Sequence, residues 1–169
     1  MFQSQMKRFS LVLVFLMVFC FTACNEQSNP DVVGKNLFAA LKTLSSSDTE
    51  SSQDKLAKNF LKKEDGYNLF QEIKNKSYDR GVSDWSKIEY VNFIHKEVSK
   101  NGVKYSSGCL IVNLNGKGDY VQFSIYLLNI QVGNEYKVLK HHDNWSRDTT
   151  IPWDRLKQNL DEILEKWID

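Results

Sequence analysis

The chain has 169 residues, 22 basic and 21 acidic side chains for a formal charge of +1, and a hydrophobic share of 41%. Near-neutrality excludes a partner such as nucleic acid, whose phosphates call for a net basic surface. The length suits one domain with a real core and is short for two.

The first segment is an export signal in three parts. Lys7 and Arg8 are followed by an apolar run at 11–21, then by Thr22-Ala23-Cys24 and the polar stretch Asn25-Glu26-Gln27-Ser28-Asn29. Cations resist crossing the bilayer while the apolar run inserts, and a small residue admits a peptidase to the backbone. The run is well short of the roughly 20 residues a permanent span needs. Starts at Met1 and at Met6 yield the same mature chain. Phe21-Thr22-Ala23-Cys24 resembles the bacterial lipobox, with Phe21 at a position where Leu is more common. The resemblance implies cleavage between Ala23 and Cys24 and diacylglyceryl attachment to the Cys24 thiol, with acylation of the new N-terminus as well. Several acyl chains, at about 0.8 kcal/mol per buried methylene, would hold the protein firmly on a membrane. The expected organisation is a signal at 1–23, a lipidated tether at 24–30 and one domain at 31–169. Asn25 after the cysteine implies the outer membrane if the organism has two.

Removing residues 1–23 from the 169 leaves 146, with 20 basic and 21 acidic side chains and a net charge of −1. Cys20 leaves with the signal and Cys24 is lipidated, so Cys109 is the remaining thiol and no internal disulfide forms. It sits in Ser107-Gly108-Cys109-Leu110-Ile111-Val112, a strand pattern that reads as a buried small hydrophobe.

From Pro30, the residues Val33, Leu37, Ala40, Leu41 and Leu44 recur at helical spacing, with Ser28 or Asn29 as N-cap. The polar stretch at 45–52 predicts a loop, because short polar side chains compete with helical backbone bonds. A second helix follows through Leu56, Ala57, Phe60 and Leu61, and a third through Tyr67, Phe70 and Ile73, joined around Asp65-Gly66. After Trp85 the period changes. Runs at 88–99, 103–113, 120–131 and 135–142 are rich in β-branched and aromatic residues, and the breaks hold Asn101-Gly102, Asn115-Gly116-Lys117-Gly118-Asp119 and Gly133-Asn134. These breaks predict hairpins and an antiparallel meander.

Along the third run Val121, Phe123, Ile125 and Leu127 alternate with Tyr120, Gln122, Ser124, Tyr126, Leu128 and Ile130, so both sheet faces are partly apolar. The second face therefore needs cover from another element, a concavity or a partner. One candidate is the terminal segment, where Trp153, Leu156, Leu160, Ile163, Leu164 and Trp167 share one helical stripe. That stripe reads as a helix packed on the core, with a partner-binding helix as the alternative.

The fold class expected is α+β: N-terminal helices, a curved four-stranded antiparallel meander and a C-terminal amphipathic helix. Element order over 31–142, with the first-helix texture Val33-Gly34-Lys35-Asn36-Leu37-Phe38-Ala39-Ala40-Leu41-Lys42, resembles the cystatin-like cone of the nuclear transport factor two superfamily. The resemblance implies a pocket at the open end of the cone, serving either as an enzyme cavity or as a binding site. The terminal helix is an addition to that basic fold.

The most polar cluster is His141-His142-Asp143. On a strand His141 and Asp143 share a face with Cα atoms about 6.6–6.8 Å apart, a spacing suited to a metal or an acid/base pair. Two ligands fall short of the three or four a zinc site needs, so no metal site is assigned. His95 and Glu97 share a face of the first strand and read as solvated. Tyr78-Asp79-Arg80-Gly81 before Trp85 reads as turn chemistry with a tucked aromatic, or as a recognition loop. The sequence has no phosphate-cradling glycine loop and no nucleophile elbow, and Gly116-Lys117-Gly118 reads as a turn. No catalytic residue and no cofactor is assigned. The function expected is a membrane-anchored, non-enzymatic envelope module that binds an envelope protein or a small apolar ligand; the alternative is a cone-cavity enzyme with His141 or Asp143 as general base.

Overall fold

A computed structural model describes residues 29–114, 122–146 and 152–168. Ala23 and Cys24, the Gly116-Lys117-Gly118 turn, Tyr120 and Val121 lie outside these described residues.

Helix α1 spans Asp31–Leu41. Pro30 occupies its N-cap position, and the Asn29 side chain accepts the Asp31 N–H at 3.0 Å, so one orphan donor of the first turn is satisfied. Helix α2 spans Thr49–Ala57. It begins inside the stretch expected to be loop. Asp48 Oδ1 accepts the Ser51 N–H at 3.0 Å, and the buried Ser52 hydroxyl donates to the Thr43 and Asp48 carbonyls. The short polar residues that argued for a loop are here a cap and a tertiary link.

Helix α3 spans Lys63–Asp79, so Asp65-Gly66 lies in its first turn and is not the joint between helices. The break falls at 58–62, where the Leu61 N–H donates to the Val138 carbonyl and the Val138 N–H donates to that of Asn59. Gly66 is needed for packing: a Cβ there would stand 2.5 Å from Ala57 Cα. A 3-10 turn at Trp85–Lys87 then leads into the sheet, with Trp85 buried and its indole N–H donating to the Ser77 hydroxyl at 3.0 Å.

Strands β1 (Glu89–Lys100), β2 (Val103–Asn113), β3 (Gln122–Val132) and β4 (Glu135–Ser146) form one open antiparallel sheet in the order β1-β2-β3-β4. Asn101 and Gly102 both have positive φ (53° and 78°), as a two-residue hairpin demands of this dipeptide. β4 continues past the expected end at His142 through Trp145, whose ring packs on Phe123. The chain ends in α4 (Trp153–Trp167). The fold is α+β.

Both faces of the sheet are buried. Phe123, Ile125 and Leu127 face the layer of α1–α3, joining Leu37, Leu41, Phe70 and Ile73 in one core. Cys109, Ile111, Tyr126 and Leu128 face the other way and meet Leu156, Leu160 and Ile163 of α4. α4 is therefore the cover the second face required. Its C-terminal carbonyls are gripped from two strands: Lys100 donates to Ile168 O and Lys140 to Trp167 O, each at 2.9 Å. Cations at that end complement the helix dipole. Asp161 also pairs with Lys96 of β1. No helix among the described residues is long and apolar enough to cross a membrane.

Candidate functional site

His141 and Asp143 do share a face, the one toward α3, beside Trp145. Their chemistry there is structural. Asp143 accepts from Lys76 Nζ at 2.8 and 2.9 Å and from the Trp145 indole N–H at 2.8 Å, with its side chain 6% exposed. Burial opposes ionisation of this carboxyl, but the Lys76 and Trp145 donors outweigh it and hold the group below the ordinary aspartate range. Such a carboxylate is a fixed acceptor and a poor proton acceptor. The His141 ring meets Phe60 edge-on at 5.5 Å, and burial pushes its pKa down, which keeps it neutral.

His95 lies between α1 and β1. Its Nδ1 is 3.2 Å from Asp31 Oδ1, its Nε2 is 3.8 Å from Glu97 Oε1, and the ring stacks on Phe93. His95 and Glu97 thus share a face as expected, and beside the first turn of α1 that face stays open to water, with the His95 side chain 26% and the Glu97 side chain 49% exposed. Glu97 also accepts the Tyr136 hydroxyl at 2.7 Å. Among the described residues no three His, Cys, Asp or Glu side chains gather as metal ligands. Cys109 is fully buried under α4, and desolvation pushes its thiol up to about 12, which suits a packed hydrophobe and not a nucleophile. In the Tyr78 to Trp85 segment, Trp85 is tucked into the core and Arg80 lies over the Trp145 ring at 5.1 Å, while Tyr78 is exposed.

A further opening lies on the opposite face, between α4 and β3–β4. It encloses about 500 Å³ and is bordered by Tyr126, His142, Asn144, Arg155, Asn159 and Lys166. The meander turns His142 and Asn144 toward α4 while His141 and Asp143 turn away, a consequence of the two-residue period of the strand. At its floor Tyr126 is buried, and its hydroxyl accepts from Asn159 Nδ2 at 3.0 Å. At its rim Lys166 pairs with Glu162 at 2.9 Å. The wall thus mixes amide, hydroxyl and charged groups of both signs around an aromatic floor. Of this set, sequence reasoning reached His142 in the polar cluster and Tyr126 on the second sheet face, but not Asn144, Arg155 or Asn159. The alternation that exposed Tyr126 as a second-face residue, together with the polar positions Arg155 and Asn159 on α4, was the available signal.

Comparison with known proteins adds little to this geometry. No family model matches the chain, and no curated protein does. Among solved structures, the chain is similar to a crystal structure of a DUF4783 family protein from Bacteroides ovatus, at 13% identity and a TM-score of 0.38, covering 72% of this chain and 99% of that one.

Proposed function

We propose that the protein is a lipid-anchored envelope protein whose α+β part is a non-enzymatic binding module, docking a protein partner at the cleft between α4 and β3–β4. The carrying observation is that α4 covers the second apolar face while leaving, along its flank, a cleft of mixed polar and aromatic character. Surfaces with an aromatic floor and a polar, charged rim suit protein partners. A small apolar ligand is less favoured, because the apolar groups of that face are spent on α4. The enzyme alternative is also less favoured: Asp143 and His141 are engaged in packing and ion-pair contacts.

The anchor rests on Lys7-Arg8, the apolar run and Thr22-Ala23-Cys24. In this reading residues 1–23 are removed, residues 24–30 tether the fold, and the protein sits in the cell envelope, on the outer membrane where there are two. Element order supports grouping the fold with the cystatin-like nuclear transport factor two superfamily.

Two experiments test the parts separately. Cys24→Ser should release the protein from membranes and abolish the lipid mass; unchanged partitioning refutes the anchor. A photo-crosslinking residue at Asn159 should yield a discrete adduct in intact envelopes, absent when the probe is at Asn101 on the β1–β2 turn and absent in Arg155→Glu. Equal labelling from both positions refutes the cleft.

A further inference from the structure

Separate stretches of the chain meet at one end of the sheet. The β1–β2 and β3–β4 turns, at Asn101-Gly102 and Gly133-Asn134, both lie there, because an antiparallel meander places its first and third turns together. α1 enters at the same end: Asp31 reaches His95 in the second half of β1, and Asn29 and Val33 border a cleft with Glu135, Tyr136 and Lys137 of β4. The joint between α2 and α3 completes the group. Lys58 and Asn59 border that same cleft, Lys137 Nζ donates to the Lys58 carbonyl at 3.0 Å, and the Leu61 N–H donates to the Val138 carbonyl.

The distance from this end to Cys24 is bounded by the chain itself. Asn29 follows Cys24 by five residue steps, which at about 3.6 Å each reach about 18 Å at most. The sheet is about twice as long, with twelve residues in β4 at about 3.3 Å each. The hairpin end also carries the groups that phospholipid headgroups accept. Leu61 and Val132 are 43% and 48% exposed. Lys58, Lys62 and Lys104 are exposed and form no ion pair among the described residues. The acids of these segments are otherwise engaged. Asp31 faces His95, Glu97 accepts from Tyr136, and Glu135 pairs with Lys137, while Glu64 and Asp65 sit in the first turn of α3, where the helix dipole favours them.

We propose that the hairpin end is a membrane-contact surface that rests on phospholipid headgroups, with Lys58, Lys62 and Lys104 at their phosphates and Leu61 and Val132 at the acyl boundary. The inference rests on the lipid anchor at Cys24 and goes beyond it, because lipidation alone leaves the domain free to turn about its tether. Lysine stems lie along apolar surface while their ammonium groups stay among phosphates, so the two residue types act together at this boundary. An orientation follows. β4 runs away from the bilayer, and His142 and Asn144 of the α4 cleft stand about 25–30 Å further along it than the β3–β4 turn. The cleft is thereby presented to the aqueous side, where a partner reaches it without crossing the headgroup layer.

The test uses the lipidated protein, purified from membranes and returned to vesicles of phosphatidylethanolamine and phosphatidylglycerol that carry a nickel-chelating lipid. Cys24 is acylated in this reading and Cys109 is buried, so a single introduced cysteine takes a nitroxide label. The two sites are Asn134→Cys, on the β3–β4 turn, and Ser83→Cys, beyond the far end of α3; both positions are exposed. Nickel at the headgroups should enhance spin relaxation severalfold more at Asn134 than at Ser83, and equal enhancement overturns the surface. The combined change Lys58→Glu, Lys62→Glu and Lys104→Glu should keep the lipid mass and lower the enhancement at Asn134 severalfold; an unchanged value overturns the headgroup contact. A chain without lipid mass overturns the anchor and this surface together, whereas a lipidated chain with equal enhancement at both sites overturns this surface alone. Broadening between Asn134 labels in dilute vesicles without nickel means that a second copy of the chain covers this end, and overturns the membrane contact too.

Discussion

The two faces of the sheet are buried by different means. The helical-layer face is closed by three helices that precede the sheet in the chain, and its core runs from Leu37 and Leu41 through Phe70 and Ile73 to Phe123 and Ile125. The α4 face is closed by one helix arriving last, through Leu156, Leu160 and Ile163, with lysines of β1 and β4 clamping its end. A single helix cannot cover a four-stranded sheet from edge to edge. The uncovered flank on β3–β4 is the cleft, so the thinner layer is what leaves room for a partner. β3 serves both layers by alternation, and it is the strand on which the two cores depend together.

The largest expected effects come from truncating those cores. Phe123→Ala should cost about 3–5 kcal/mol and Leu160→Ala about 2–4 kcal/mol, read from urea midpoints. What separates the faces is the way they open. Cys109 is buried beneath α4. In Leu160→Ala its alkylation by iodoacetamide, followed at that residue by mass spectrometry, should accelerate well beyond the rate in Phe123→Ala compared at equal residual stability, because α4 lifts while the other layer stays closed. Equal rates would mean that the two layers open as one unit, and the comparison would collapse.

Next in size is the slot that holds Phe93 on the helical-layer face. A Cβ at Gly34 would stand 2.3 Å from Cγ of the Phe93 ring, and one at Gly108 would stand 2.5 Å from its Cζ. Gly34→Ala and Gly108→Ala should each cost about 1–3 kcal/mol by overpacking. Both press on one ring, so the double variant should cost less than the sum. Adding Phe93→Leu should recover part of the loss, and failure to recover any would move the strain from the ring to the backbone.

What the sequence made legible was chemistry acting over a few residues. Asn101-Gly102 announced its hairpin because few other dipeptides tolerate two positive φ values in a row. The alternation around Phe123 and Tyr126 exposed two apolar faces, and the regular stripe of α4 supplied the cover. Misreadings arose where one local signal has two uses. Ser52 and Asp48 look like loop residues until a helix starts behind them, and Gly66 looks like a break until Ala57 is seen to press on it. The sites themselves were mostly illegible. Asp143 meets Lys76 across 67 positions, and Tyr136 meets Glu97 across 39, through contacts that no periodicity encodes.

A smaller effect is expected at the Lys76 and Asp143 pair. Lys76 is 40% exposed, so solvent screens it, and Lys76→Met should cost about 0.5–1 kcal/mol. The pH dependence has a definite sign. Asp143 has a lowered folded-state pKa, so its contribution is full above the ordinary aspartate value of 3.8 and is lost as pH falls through the folded value. Asp143→Asn should flatten the acid limb of a stability-against-pH curve. His141 has a folded pKa below its ordinary 6.5, so acidification below that value favours the unfolded chain, and His141→Gln should flatten the curve in that higher window. Unchanged curves in both variants would remove the electrostatic account of this end of β4.

The smallest effect is expected on the rim of the thin layer. Lys166 and Glu162 are 67% and 44% exposed and form a helical i,i+4 pair. Pairs of this kind are screened by salt and contribute little. Glu162→Gln should leave the urea midpoint unchanged within error at ordinary ionic strength, and any shift at low salt should vanish when salt is added. A shift that persists in salt would show that α4 is held by charge and not by Leu156, Leu160 and Ile163, breaking the contrast between the layers. If stability is unchanged, the same variant becomes a clean probe of the cleft: reduced crosslinking from Asn159 then reports loss of a partner contact, with the fold that presents it intact.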